Sequence, residues 1–199
     1  MTLAVPDAAD RAALADVVGR VVRLDPAAVV RLRDLGGSVA VWAGTPFEVL
    51  VAARAPGRVA PGDTTVVGAD LLAALSVVDA PETEPGRPVD DRWRGDLPPE
   101  GPWGVLGEIA AGEVEAAVAR FTTPAALDET AWEGDLEGAV VRVPARCLVA
   151  VAGMGWPEDG VSVPVAVSGE GSWLRLDAGP RSVGAAIVRR RRPRLSVLM

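Results

Sequence analysis

The sequence predicts an α+β fold built from repeated β-α-β-β units, with antiparallel sheet carrying helices packed on one side. Three observations predict it. A short strand-helix-strand wording recurs along the chain, Gly and Pro mark stops between the segments, and 199 residues suffice for one good core or two small ones.

Taken in order, Pro6-Asp7 followed by apolar Ala9, Ala13, Leu14, Val17 and Val18 predicts a first helix ending near Gly19. Residues 21–24 are β-branched and read as a strand. Asp25-Pro26 then supplies a helix cap and first-turn proline, opening a helix over residues 27–35 that Gly36-Gly37 stops. Residues 38–42 and 47–54 read as a hairpin across Ala43-Gly44-Thr45-Pro46. The same wording recurs as a strand over 140–143, Pro144, a helix over 145–152 and Gly153. A shorter copy runs from Thr64 to Val67 and into a helix over 69–76. Residues 161–167, 173–177 and 182–188, parted by Ser168-Gly169-Glu170-Gly171 and Gly179-Pro180, read as antiparallel strands. Leu106, Ile109, Val114, Ala117 and Phe121 predict an amphipathic helix over 107–121. Residues 79–104 are rich in Pro and acids. They divide the chain into an N-terminal half (1–78), a connector (79–104) and a C-terminal half (105–199), which together can form one compact domain.

Composition excludes many chemistries. The chain lacks Lys, His, Tyr, Asn and Gln, so all 20 cationic side chains are arginines. There is no imidazole base, no Schiff-base amine, no phenol acid and no amide to read base edges. A nucleophilic Ser, or Cys147, would depend on a carboxylate base. Cys147 lies inside an apolar predicted helix, where a thiol behaves as a small hydrophobe, and a lone Cys makes no internal disulfide. No cofactor and no metal is expected: a phosphate-binding loop needs Lys, and Gly169-Glu170-Gly171-Ser172 lacks the third glycine of a dinucleotide fingerprint. Acids such as Asp90-Asp91, Asp128-Glu129, Glu133 and Asp135 read as solvated surface; a convergent pair would instead suit a Mg²⁺-dependent carboxylate enzyme. With no basic leader and no apolar run near the roughly 18 residues of a membrane span, a cytoplasmic protein is expected.

Charge is uneven. The net value is -7, yet residues 1–188 hold 15 Arg against 27 acids, because Arg189, Arg190, Arg191, Arg192 and Arg194 cluster near the end. That run either keeps an acidic body soluble or docks onto phosphate or an acidic patch. The apolar residues 195–199 beyond it favour a protein partner, and nucleic acid is expected only through this tail. Trp93, Trp103, Trp132 and Trp156 fall in predicted loops. Burying one such ring is worth up to about 4–6 kcal/mol, so these rings either pin residues 90–135 to the sheet or, at Trp93, Trp103 and Trp156, anchor a partner.

Two resemblances follow from these residues. Arg23-Leu24-Asp25-Pro26, Trp93, Leu97-Pro98-Pro99, Gly101-Pro102-Trp103, Met154-Gly155-Trp156, Gly171-Ser172-Trp173-Leu174-Arg175 and Ser182-Val183-Gly184, in this order, look like a family of uncharacterised actinobacterial proteins, which implies no activity. The order strand, Pro-Ala, Leu-rich helix and antiparallel strands resembles the repeated unit of DNA sliding clamps. That resemblance implies a channel lined by cationic helix faces, to which the predicted helices contribute Arg31, Arg33 and Arg146 beside acidic Asp70. The function expected first is therefore a non-catalytic protein-interaction or scaffold domain, with a protein partner or self-association. A clamp-like DNA-associated module and the Mg²⁺ enzyme are the alternatives.

Overall fold

A computed structural model describes residues 1–77, 80–100, 102–136, 138–156 and 165–190. The elements run in the order β1 (Thr2–Ala4), α1 (Ala8–Leu24), β2 (Val29–Asp34), β3 (Ser38–Gly44), β4 (Leu50–Pro56), β5 (Arg58–Ala60), β6 (Asp63–Val67), α2 (Gly68–Leu75) and β7 (Glu82–Thr83). There follow β8 (Gly104–Ile109), α3 (Ala111–Arg120), β9 (Thr130–Leu136), β10 (Ala139–Pro144), α4 (Ala145–Gly153), β11 (Val165–Glu170), β12 (Trp173–Asp177) and β13 (Ala186–Arg190). The fold is mixed α+β, and among the described residues all strand pairs are antiparallel.

Eight strands form the main sheet in the order β6-β2-β3-β4-β13-β12-β11-β8. This order has a pseudo-two-fold. On one side of the centre, α1 is followed by β2-β3-β4, and β6, which leads into α2, takes the outer edge. On the other, α4 is followed by β11-β12-β13, and β8, which precedes α3, takes the opposite edge. The halves join where β4 meets β13, with Ala52, Val51 and Leu50 opposite Ala186, Ile187 and Val188. The two small sheets follow the same scheme: β1, before α1, pairs with β7, and β10, before α4, pairs with β9.

The core lies between the sheet and the helices. Strand side chains alternate across the two faces, so Val30 and Leu32, Val39 and Val41, Val51 and Ala53, Leu174 and Leu176, and Ile187 point together into it. Helix α1 presents Leu14, Val17, Val18 and Val21 to this layer, and Asp7 caps its start by accepting from the amides of Ala9 (2.8 Å) and Asp10 (3.0 Å). At Gly19 the helix passes close to α2: a Cβ there would lie 3.6 Å from Leu72 Cδ1.

Several expectations are corrected. Helix α1 does not stop at Gly19 but runs through residues 21–24, so the strand read there is its last turn. The helix over 27–35 is strand β2. Asp25 closes α1 as its C-cap, and Asp25-Pro26 makes a turn instead of opening a helix: the Ala28 amide donates to Asp25 O (3.0 Å) and the Ala27 amide to Asp25 Oδ1 (2.9 Å). Asp then Pro suits positions i and i+1 of a type I turn as well as a helix start. The match between residues 21–35 and 140–153 is therefore coincidental. The shorter copy at 64–76 is a true strand-helix pair. Helix 107–121 is split into β8 and α3, where Glu113 Oε2 accepts from the Ala110 amide at 2.9 Å. The acidic stretch around Glu133 is strand β9, tied to β10 by the Arg142–Glu133 pair at 2.6 Å.

Candidate functional site

The sheet face turned away from the helices gathers polar and aromatic side chains. Antiparallel partners share a face, so the register places side chains in rows. One row runs Asp63, Arg33, Ala40, Arg54. The next runs Arg31, Trp42, Ala52, Ala186, Asp177. Leu50, Val188 and Arg175 form a third, and Arg190 stands opposite Trp173.

The guanidiniums on this face are held differently. Arg31 donates two bonds to Asp63, at 2.7 and 2.9 Å. This hydrogen bond holds the Asp63 carboxyl below its ordinary range and raises Arg31. Arg33 lies 3.6 Å from Asp63 and 3.6 Å from Glu100. Arg175 donates to Asp177 Oδ1 (2.6 Å) and to Gly184 O (2.9 Å). Arg54 donates to Ser38 Oγ at 2.8 Å, and among the described residues no carboxylate lies within ion-pair distance of it.

The connector crosses this face as a strap. At its start it closes the sheet edge: the Val89 amide donates to Thr65 O (2.8 Å), and Asp90 Oδ1 accepts from the Thr65 amide (2.5 Å). Arg92 donates to Ala27 O at 2.9 Å, and Arg31 sits 5.9 Å from the centre of the Trp93 ring. Asp96 pairs with Arg190 at 2.5 Å. Trp103 then settles on a small apolar cluster of Trp173, Ala186, Val188 and Ala52, with Trp42 and Leu50 at its rim.

Between strap and sheet lies a pocket of about 380 Å³. Its floor is Ala40 and Ala52, its aromatic walls are Trp42 and Trp103, and Arg54, Arg175 and Glu100 bring charge to it. This volume is in the range of a small-ligand or side-chain site. The pocket offers indole faces and guanidinium donors, a combination suited to an apolar or aromatic group next to an anion.

A second charged cluster lies on the helix side. Arg146 and Arg189, both buried, converge on Asp128 at 2.7 and 3.5 Å, and Arg146 also pairs with Glu48 at 2.6 Å. Glu48 takes a left-handed φ of 56° to reach it. The network joins the β3–β4 turn to α4 and β13 and so locks the two halves together. Cys147 beside it is fully buried; burial pushes its thiol up to about 12, although Arg189 and Arg146 oppose this, so the thiol stays protonated and inert.

The structure separates the predicted site residues. Trp93, Trp103 and Arg190 all lie on the outer face, at separate places: Trp93 by Arg31, Trp103 on the apolar cluster and Arg190 against Asp96. Arg189 points the other way and is buried against Asp128, so it is no part of a solvated basic tail. Trp156 is 2% exposed and sits in the core, where a Cβ on Gly179 would come within 2.6 Å of its ring, so it cannot anchor a partner. Arg191, Arg192, Arg194 and residues 195–199 lie outside the described residues. Arg31 and Arg33 belong to β2 on the face opposite the helices. Arg54, Trp42 and Arg175 went unpredicted as a site. The runs over residues 38–42, 47–54 and 173–177 marked their strands, but nothing local shows that the β4–β13 junction gathers them. Among the described residues no group of three acidic or thiol side chains converges to hold a metal ion, and no helix is long and apolar enough to cross a membrane.

Residues 1–95 match a family described as a domain of unknown function (DUF8010). No curated protein matches the chain. Solved structures similar to it include DNA sliding clamps. That of Bartonella birtlesii (DNA polymerase III subunit beta), bound to griselimycin, superposes with a TM-score of 0.54 at 14% identity, covering 96% of this chain and 64% of that one. The clamp of Caulobacter crescentus gives 0.52 at 16% identity, covering 96% and 65%. The clamp of Bacillus subtilis gives 0.58 at 10% identity, covering 100% and 67%. This chain thus spans slightly less than two thirds of the length of the first two clamps. At these identities the likeness is one of fold.

Proposed function

We propose that this chain is a non-catalytic protein-interaction module that uses a clamp-like scaffold to present its outer sheet face to a partner. The observation that carries the reading is the pocket between strap and sheet, with indole walls and an Arg54 guanidinium held by one hydroxyl. Aromatic rings beside Arg are the side chains most enriched at protein interfaces. Among the described residues the pocket's carboxylate is Glu100, which faces Arg33, so they bring no second acid to it for general acid–base chemistry.

The fold likeness favours a second reading, a DNA-associated clamp-like module. Charge weighs against DNA on the helix side. Outside the core the helices carry Asp10, Asp16, Asp70, Glu113 and Glu115 against Arg20, Arg23 and Arg120, and Arg20 is paired with Asp16. Such a surface repels phosphate instead of releasing counterions from it.

A photo-crosslinking residue placed at position 42, or at Ala116 on α3, tests the proposal in the native host. Discrete protein adducts at position 42, absent at 116 and lost with Arg54→Glu, are expected. Adducts at 116 alone would overturn it. Duplex DNA binding at low salt that falls steeply as salt rises would promote the second reading instead.

A further inference from the structure

We infer that the outer face takes an extended acidic segment of a partner protein carrying a bulky apolar or aromatic side chain, and that the connector occupies the same place when the partner is absent. The inference rests on the outer face being the interaction surface.

The connector is itself a worked example of such a segment. Its acids Asp96 and Glu100 sit on Arg190 and Arg33, and its rings Trp93 and Trp103 sit on Arg31 and on the apolar cluster. It is also held in a way that lets it leave. Residues 89 and 90 make hydrogen bonds to the backbone of the β6 edge, and residues from 104 onward pair in β8. Among the described residues between them, 94–103 make no backbone hydrogen bond to the sheet. Their hold is through side chains, and the Arg190–Asp96 pair is 60% and 72% exposed. Exposed ion pairs of this kind are individually weak and are screened by salt.

Charge complementarity selects the occupant. From β6 to β12 the outer face carries Arg31, Arg33, Arg54, Arg175 and Arg190 against Asp63 and Asp177, and Glu170 and Glu108 stand beyond them on β11 and β8. Neither Asp96 nor Glu100 reaches Arg54, which keeps a hydroxyl partner, so a competing segment gains a guanidinium that the strap does not use. Because the strap competes at the high effective concentration of a tethered ligand, cutting its anchors strengthens partner binding without altering the partner's own contacts.

The test uses the full chain and a fluorescent peptide with the sequence of residues 90–104 as probe. Binding about tenfold tighter to the Asp96→Ala/Glu100→Ala protein than to wild type is expected, and adding Arg54→Glu to that protein should weaken it, because a carboxylate there faces the peptide's own Glu100 across the pocket. With 5-fluorotryptophan in the protein, the Trp103 ¹⁹F resonance, assigned with Trp103→Phe, should move toward solvent as unlabelled peptide is added. Equal affinity for the two proteins with Arg54→Glu still effective would sink the competition while leaving the outer-face reading intact. Peptide binding indifferent to Arg54→Glu would remove both, and no binding to either protein would overturn the inference. Since every altered side chain is exposed or at a pocket rim, circular dichroism identical to wild type confirms that the variants fold.

Discussion

The two faces of the main sheet are built to different ends. The helix-side face is closed by Val, Leu and Ala packed against four helices, and its charged groups, Arg146 and Arg189, are locked by Asp128 and Glu48. The outer face is covered by a strap held through exposed side chains, over a pocket with two indoles. The contrast teaches where stability and where recognition reside: a face already saturated by the chain itself has little left to offer another molecule.

Trp156→Ala should break the contrast most visibly. Deleting a ring that is 2% exposed is expected to cost about 3–5 kcal/mol in denaturant unfolding, whereas Trp103→Ala, which removes the strap's ring from the outer face, should cost about 1–2 kcal/mol. Similar losses at the two sites would show that the outer face is core after all. Arg146→Ala should follow, at about 2 kcal/mol: the lost partner is buried, but Asp128 and Glu48, whose side chains are 56% and 62% exposed, can rehydrate. A loss near zero would mean that the network does not join the halves.

Gly19→Ala sharpens the same comparison from the opposite direction. A glycine inside α1 weakens it, and the space beside Leu72 admits a methyl group at ordinary contact distance, so the variant should gain about 0.5–1 kcal/mol by thermal unfolding. A destabilised variant would show that α1 and α2 need a closer approach.

The smallest effect belongs to the outer face. Asp63 titrates below its ordinary range because Arg31 donates to it, so its contribution is fully present above the unfolded value of 3.8 and is lost as pH falls through the lower folded value. Asp63→Asn should therefore be less stable than wild type by under about 1 kcal/mol at neutral pH, with the gap closing in acid. A gap that stayed constant down to pH about 2 would show that charge is not its origin.

Legibility in the sequence followed the range of the forces involved. Strands β3, β6 and β12 and helices α2 and α4 were readable from local patterns. Strand β2 was misread although Val30-Arg31-Leu32-Arg33 alternates with period two, because Asp25-Pro26 serves a turn and a helix start equally well. Strand β9 was hidden by its acids, of which Glu133 stands half-exposed opposite Arg142 while the partner strand buries Val141 and Val143. The candidate site was half visible: Trp93, Trp103 and Arg190 were singled out, while Trp42, Arg54 and Arg175 were not.

What the residues settled unaided is the inventory: no imidazole, amine or phenol, a core of small aliphatic side chains, and a proline-rich acidic segment between two halves. What the tertiary structure decided is adjacency. Pairing β4 with β13 brings Ala52 against Ala186, and only then do two tryptophans and two arginines from distant segments face one cavity beneath the connector. Alternation along a strand separates its side chains into two sets, but which set is covered by helices depends on apolar area buried between residues far apart in the chain.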